Sequence, residues 1–211
     1  ARVATARKLG FAGAPMHDAL LRRLHAAFDP EQLINHYGSS EVYTFTVEPN
    51  AAAKPGSAGR AGIHARVRVV ALDGASASQP DQQVDAKQEG QIIAELLGDE
   101  AFEGYWKRPD ADAKSLRQGW YFTGDTGYFD DEGDLFVTGR VDDMIISGGE
   151  NIFPVEIESI LSTHPAVDEV AVAGLRDERW GQRVAAFVKR RPGIVVDAAA
   201  LDAHCLGSRL P

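Results

Sequence analysis

The chain has 211 residues, 44% hydrophobic and 25% charged, with a formal net charge of −9. That composition can fill a core and excludes a disordered chain, and the acidic balance opposes steering toward nucleic acid, whose phosphates it would repel. No apolar run approaches the ~20 residues of a membrane span, the first residues lack the apolar stretch of a secretory signal, and a single cysteine, Cys205, excludes an internal disulfide framework and fits a reducing cytoplasm.

Residues 10–14 are small and apolar and read as a strand end with a turn. Pro15 is placed to open a helix, with Leu20, Leu21, Leu24 and Phe28 near helical spacing, and Asp29-Pro30 stops it. Residues 33–37 read as a short buried strand and Gly38-Ser39-Ser40 as a loop. From about residue 42 to 138 short strands and turns take over. Residues 65–70 alternate with period two, 90–96 less cleanly, whereas 51–62 and 73–83 have loop composition. Within the first loop, residues 56–62 lack the glycine spacing of a phosphate-binding turn. Residues 128–129 and 135–137 flank Asp130-Asp131-Glu132-Gly133-Asp134 as a hairpin, whose carboxylates mimic part of a calcium loop without its helices.

Past Arg140 the pattern shifts again. Residues 143–147 read as a strand, and Pro154 opens a helix carrying Ile157, Ile160 and Leu161, which closes near His164-Pro165. Residues 167–173 and 183–189 read as strands, and Asp197 caps a last helix. His17, His25, His64, His164 and His204 show no metal spacing, and Cys205 is expected to be a packed thiol.

Three stretches carry chemistry. In Asn35-His36-Tyr37-Gly38-Ser39-Ser40-Glu41 an aromatic ring offers a flat face for a purine, the hydroxyls can donate to phosphate oxygens, and the carboxylate can hold Mg²⁺. A polar turn after a strand is the plainer reading. In Gly119-Trp120-Tyr121-Phe122-Thr123-Gly124-Asp125-Thr126-Gly127 a strand end presents Asp125, whose carboxylate can accept from ribose hydroxyls; an acidic turn is the alternative. In Gly139-Arg140-Val141-Asp142-Asp143-Met144-Ile145-Ile146-Ser147-Gly148-Gly149-Glu150-Asn151-Ile152, Arg140 suits phosphate or ribose, and Gly148-Gly149 lets backbone approach a ligand. A hinge without a ligand also fits that stretch.

In this order and spacing the three resemble the adenylate-forming superfamily of acyl-CoA synthetases, luciferases and peptide-synthetase adenylation domains, in particular acyl-CoA ligases of the 4-chlorobenzoate–CoA ligase kind. Arg179-Trp180-Gly181-Gln182 and Phe102-Glu103-Gly104-Tyr105-Trp106-Lys107-Arg108-Pro109 add to the likeness. The resemblance implies the α/β and β-rich end of a large N-terminal domain (residues 1–139, with a β-rich subdomain at about 42–139). Part of a small, mobile α+β C-terminal domain (140–211) would follow. It implies ligation of a small-molecule carboxylate to CoA through an acyl-adenylate, with ATP, Mg²⁺ and CoA as cofactor and co-substrates. Gly13, Ala14 and Pro15 would lie along the adenine edge, with Tyr37 stacked on the ring. Gly38, Ser39 and Ser40 would face phosphate, Ser40 replacing the family's usual threonine. Glu41 would hold Mg²⁺, Asp125 the ribose, and Arg140 ribose or phosphate. Glu41, Ser40 and Arg140 would serve catalysis. Asp142 would be the hinge, Gly148, Gly149 and Trp180 the CoA contacts, and His36 a border of the acyl pocket.

The family's phosphate loop and its C-terminal adenylating lysine have no counterpart here, and the chain opens on Ala1 and stops at Leu210-Pro211. A fragment that does not form acyl-adenylate by itself is therefore expected. A non-catalytic nucleotide- or CoA-binding module, and an adenylating enzyme with a carrier-protein acceptor, remain alternatives. The acyl substrate and the oligomeric state, a homodimer included, stay open.

Overall fold

The computed structural model describes residues 5–14, 16, 18–72 and 78–208. The chain divides into two units, Ala1–Val137 and Thr138–Pro211.

In the first unit, β1 (Lys8–Ala12), α1 (Asp18–Phe28) and β2 (Gln32–Tyr37) form a strand–helix–strand repeat. Its two strands pair in parallel, Lys8 opposite Gln32 and Ala12 opposite His36. A parallel pair needs a crossover, and the helix supplies it. Leu21 of α1 packs with Leu33 and Ala51, with Leu9 and Phe11 against them. Leu24 and Phe28 are half-buried, but Leu20, at near-helical spacing from them, is 46% exposed, so the helix buries a narrower stripe than its spacing suggests. The helix ends where Asp29 takes a left-handed φ of 44° and donates its N–H to the His25 carbonyl at 2.8 Å. Pro15, expected to open this helix, lies outside the described residues, as do residues 73–77 of the second expected loop.

β3 (Thr46–Glu48) and β4 (Ser57–Ala61) follow, then β5 (Val67–Val70) and β6 (Gly90–Glu95). After them come α2 (Pro109–Ser115), β7 (Leu116–Arg117), β8 (Trp120–Phe129) and β9 (Leu135–Arg140). Among the described residues these strands join β1 and β2 in one nine-stranded sheet, ordered β1-β2-β3-β4-β9-β8-β6-β5, with β7 paired to β8. Strand β4 corrects the loop expected at residues 51–62. Ser57, Ala58 and Gly59 are buried, and a Cβ on Gly59 would stand 2.1 Å from the Val47 carbonyl oxygen. Small residues are there because the backbone of β3 runs against them, a need that composition does not distinguish from a loop. Helix α2 was also not expected in the β-rich stretch. Its start has Pro109 in the first turn and Asp110 and Asp112 beside the helix N-terminus, a favourable placement for acids.

Three clusters fill the sheet's core. Val42, Phe45, Ala94 and Tyr121 form one, Ala58, Val69, Ile92 and Leu135 a second, and Val70, Ile93, Trp120 and Phe122 a third. Phe45, Ile92, Ile93 and Leu135 are fully enclosed, each worth about 1.5–3 kcal/mol in apolar burial.

The second unit takes in the end of β9 and continues with a 3₁₀ turn, Val141–Asp143, then β10 (Ile145–Ser147), β11 (Glu150–Ile152), α3 (Pro154–Ser162), β12 (Val167–Asp177), β13 (Gly181–Arg190) and α4 (Ala198–Gly207). Its sheet runs β11-β10-β13-β12. The return strand β11 is not legible in the sequence; between it and β10, Gly148 and Gly149 take φ of 61° and 93°, the left-handed pair that a two-residue hairpin demands. Pro154 opens α3 as expected, and Asp197 accepts the Ala200 N–H at 2.8 Å as the cap of α4. Thr163 Oγ1 lies 3.0 Å from His204 Nε2, tying the end of α3 to α4.

Candidate functional site

The loops leaving the C-terminal ends of β1 and β2 lie side by side, because Ala12 and His36 are partners in the parallel register. Ligands of α/β sheets gather at such strand ends. Gly13 and Ala14 are exposed there, Gly13 with a φ of 84°, and His36 is exposed on β2.

Tyr37 closes β2 and is held at both ends. Phe45 packs edge-on against its ring with centroids 5.1 Å apart, and its hydroxyl donates to Asp125 Oδ2 at 2.7 Å. Burial first, and the charge of Asp125 second, push the phenol well above its ordinary range, so the hydroxyl stays protonated and donating. Two motifs 88 residues apart thus meet in one hydrogen bond. Asp125 is not at a strand end, as expected, but midway along β8. Gln91 pairs with Thr126 and Ile93 with Phe122, so β8 carries extra residues that bulge out around Asp125. Thr123 shapes the bulge: its hydroxyl donates to the Ile92 carbonyl at 2.8 Å and accepts the Asp125 N–H at 3.0 Å. Gly124 supplies the positive φ, 79°.

The turn after Tyr37 is built from within. A Cβ on Gly38 would sit 2.0 Å from the Tyr43 carbonyl oxygen, so glycine is required there by the chain's own backbone. Ser39 Oγ accepts the N–H groups of Glu41 and Val42 at 3.2 and 3.3 Å, and Ser40 is exposed beside it. Glu41, half-buried, receives the Tyr105 hydroxyl on Oε1 at 2.8 Å. Burial, the largest influence, would raise its carboxyl, but the hydrogen bonds from Tyr105, Ser39, its own backbone and Tyr121 together outweigh it and hold Glu41 below the usual range. Tyr105, Tyr121 and Thr123 were not singled out by sequence reasoning. The only signal for Tyr105 was its place in the Phe102–Pro109 run.

In the second unit, Arg140 ends β9 and Asp142 lies in the 3₁₀ turn, both exposed. Gly148 and Trp180 come together. The Gly148 N–H donates to the Trp180 carbonyl at 2.9 Å, and a Cβ on Gly148 would meet the indole ring at 2.7 Å. Asp177 Oδ1 accepts the N–H groups of Arg179 and Trp180, both at 2.9 Å, and the Arg179 guanidinium lies 4.6 Å over the indole. Trp180 nevertheless remains 48% exposed. Gly149 has nothing within 4 Å of where a Cβ would stand.

The AMP-binding enzyme family matches residues 2–106, and the AMP-binding enzyme C-terminal domain matches residues 156–210. The chain belongs to this family. It is 38% identical to a 4-chlorobenzoate–CoA ligase of Arthrobacter sp. across 95% of its own length and 37% of that protein's. It is 48% identical to a 2-succinylbenzoate–CoA ligase of Geobacillus kaustophilus across 55% of its length and 23% of the relative's. Its fold is similar to o-succinylbenzoate CoA synthetase of Bacillus subtilis in complex with an acyl-adenylate intermediate (TM-score 0.82, 31% identity, 97% of this chain and 40% of that one). It is also similar to ATP-bound MatB of Rhodopseudomonas palustris (TM-score 0.83, 28% identity, 95% and 39%). The chain therefore spans well under half the length of these AMP-binding relatives. Among the described residues no helix is long and apolar enough to cross a membrane.

Proposed function

We propose that the protein to which this chain belongs is an AMP-forming carboxylate–CoA ligase. The observation that carries the reading is the Tyr37–Asp125 hydrogen bond, which sets an aromatic ring and a carboxylate beside one another at the end of a parallel strand pair. Tyr37 would stack on adenine, with Gly13, Ala14 and Pro15 along its edge, and Asp125 would accept from ribose. A carboxylate has about four lone-pair sites, so the Tyr37 hydroxyl leaves acceptor capacity for this. Ser39 and Ser40 would border the phosphates, Arg140 would meet ribose or phosphate, and His36 would border the acyl group.

Glu41 suits a hard divalent cation: its carboxyl is held ionised and turned by a neutral donor rather than neutralised by a lysine or arginine. Mg²⁺ bound there would offset phosphate charge as the substrate carboxylate oxygen attacks the α-phosphorus and pyrophosphate leaves. The thiolate of CoA would then attack the acyl carbonyl and AMP would depart. Gly148, Gly149 and Trp180 would serve this second step, in which a bare backbone and an exposed indole suit a narrow pantetheine path. That pairing favours free CoA over a carrier protein as acceptor. Asp142 would be the hinge between the large domain, 1–139, and the C-terminal domain, 140–211. The 4-chlorobenzoate and 2-succinylbenzoate ligases among its relatives favour an aromatic or cyclic carboxylate, and fatty acids are the alternative.

The test is to supply the whole protein carrying this chain with ATP, Mg²⁺, CoA and a panel of aromatic and fatty carboxylates. Acyl-CoA and AMP should form in equal amounts with at least one acid, and Glu41→Gln should lower the rate roughly 10²- to 10³-fold, as expected for loss of an electrostatic stabiliser of the transition state. ATP binding without turnover of any acid would transfer the reading to a non-catalytic nucleotide-binding module.

A further inference from the structure

The strongest of the side-chain hydrogen bonds on the Glu41 carboxylate comes from a segment to which no role has been given. Residues 101–105 run alongside the turn after β2: Val42 bridges to Ala101, and the Phe102 N–H donates to the Glu41 carbonyl at 2.8 Å. This places Tyr105 so that its hydroxyl meets Glu41 Oε1 at 2.8 Å across 64 residues of sequence. Tyr105 is itself anchored at its other end. Its N–H donates to Asp112 Oδ1 at 2.8 Å, in the first turn of α2, and Phe102 packs edge-on against its ring at 4.9 Å. Gly104, at a φ of 145°, lies against the same carboxylate, with a Cβ there 3.1 Å from both Asp112 oxygens. Glycine is what lets the chain turn tightly enough for Asp112 to reach Tyr105.

We propose that Tyr105 is a positioning residue for Glu41, and that Asp112, through the Tyr105 backbone, fixes the angle from which Tyr105 does this. The inference rests on the reading of Glu41 as the group that holds the nucleotide's divalent cation. A glutamate has three rotatable bonds and, unheld, samples many orientations. A rigid donor on Oε1 selects one of them, leaving the carboxylate charged and its remaining lone pairs in a fixed direction. Tyrosine is suited to this because its hydroxyl cannot neutralise the carboxylate and its ring is held by packing. Helix α2 then acts as a strut that braces Tyr105 through Asp112 on the backbone and Ser115 on the side chain.

The experiment measures ATP binding to the whole protein in EDTA and across a Mg²⁺ titration, for the wild type, Tyr105→Phe, Asp112→Ala, Glu41→Gln and the Tyr105→Phe/Glu41→Gln double variant. Tyr105→Phe should leave the affinity for metal-free ATP unchanged and raise the Mg²⁺ concentration for half-effect about tenfold, the worth of one hydrogen bond to a charged group. Asp112→Ala should raise it by a smaller factor. In the double variant, Tyr105→Phe should add nothing to Glu41→Gln, because a positioning residue has no effect without the group it positions. If Tyr105→Phe leaves the Mg²⁺ requirement unchanged while Glu41→Gln raises it, or if the two effects add, the positioning role is overturned. If Glu41→Gln itself leaves the requirement unchanged, the cation reading of Glu41 falls, and this inference with it. Should Tyr105→Phe lose its fold, Asp112→Ala compared with and without Glu41→Gln decides by the same non-additivity.

Discussion

Lys54 shows how a single side chain can answer a question that sequence leaves open. Asp130, Glu132 and Asp134 bring carboxylate oxygens within 4.8 Å of one another, a grouping that could pass for a cation site. The Lys54 ammonium stands at its centre, 2.6 Å from Asp130, 2.8 Å from Glu132 and also paired with Asp134, while Arg60 meets Asp134 from the far side at 2.8 Å. The cation is built in, and it joins residue 54 to the β8–β9 turn. Burial, the largest influence, would raise the carboxyls of Asp130 and Asp134, but the hydrogen bonds and charge of Lys54, with backbone N–H donors on Asp130 and Arg60 on Asp134, together outweigh it and hold both below the ordinary aspartate range. A depressed folded-state value means that these groups stabilise the fold fully above the unfolded value of about 3.9 and lose that contribution as pH falls through the folded one. Replacing Lys54 with methionine leaves burial less opposed, so the folded values rise and acid unfolding begins earlier. We expect the acid midpoint, followed by circular dichroism, to move to higher pH. An unchanged midpoint would mean that Arg60 alone holds the turn.

At the level of elements, glycine separates positions that a composition count treats alike. Gly38 and Gly13 both flank the proposed nucleotide site, yet a Cβ meets a carbonyl oxygen at 2.0 Å at Gly38 and nothing within 4 Å at Gly13. The Gly38 turn is also where the Phe45 N–H returns to the Tyr37 carbonyl at 2.9 Å. Gly38→Ala must therefore push apart the two limbs that orient Tyr37 and Glu41, and it should lower stability by about 1–3 kcal/mol in urea titrations, as overpacking does. Gly13→Ala meets only the left-handed backbone cost of about 1–2 kcal/mol and should leave Glu41 in place. Equal loss of Mg²⁺-dependent ATP binding in the two variants would contradict this division. The same contrast explains what was legible in the sequence. Helices α1 and α3 and the cap at Asp197 could be read because periodicity, proline and cap chemistry are local signals. Strand β4 could not, because its small residues answer to the β3 backbone, which lies elsewhere in the chain. The bulge at Asp125 was hidden for a similar reason, since its shape depends on pairing with β6. Tyr37, Glu41 and Asp125 stood out by residue type, but the hydroxyl of Tyr105 gains its meaning only from Glu41 beside it.

Across the whole molecule, the residues proposed for the two chemical steps fall into different units. Tyr37, Glu41 and Asp125 belong to the first, and Gly148, Gly149 and Trp180 to the second. If each set serves one step, a change in the second unit should disable thioester formation and spare adenylation. Gly148→Ala makes the division testable. The added methyl would stand 2.7 Å from the Trp180 ring, so the indole must move, although the backbone hydrogen bond between the two residues can persist. Alanine at the left-handed Gly148 also costs about 1–2 kcal/mol of backbone strain, while Asp177 holds the residue 177–180 turn from its other side. Displacing a group that guides a reacting thiol by about 1 Å costs on the order of 10²-fold in rate. In the whole protein, carboxylate-dependent exchange of pyrophosphate into ATP should therefore stay within about twofold of the wild type, while acyl-CoA formation falls roughly 10²-fold. Trp180→Ala should follow the same pattern, because it removes the indole that Gly148→Ala displaces. Equal loss of both steps would mean that the second unit supports adenylation as well. Loss of neither would remove Gly148 and Trp180 from the thiol's path, and with them the preference for free CoA as acceptor.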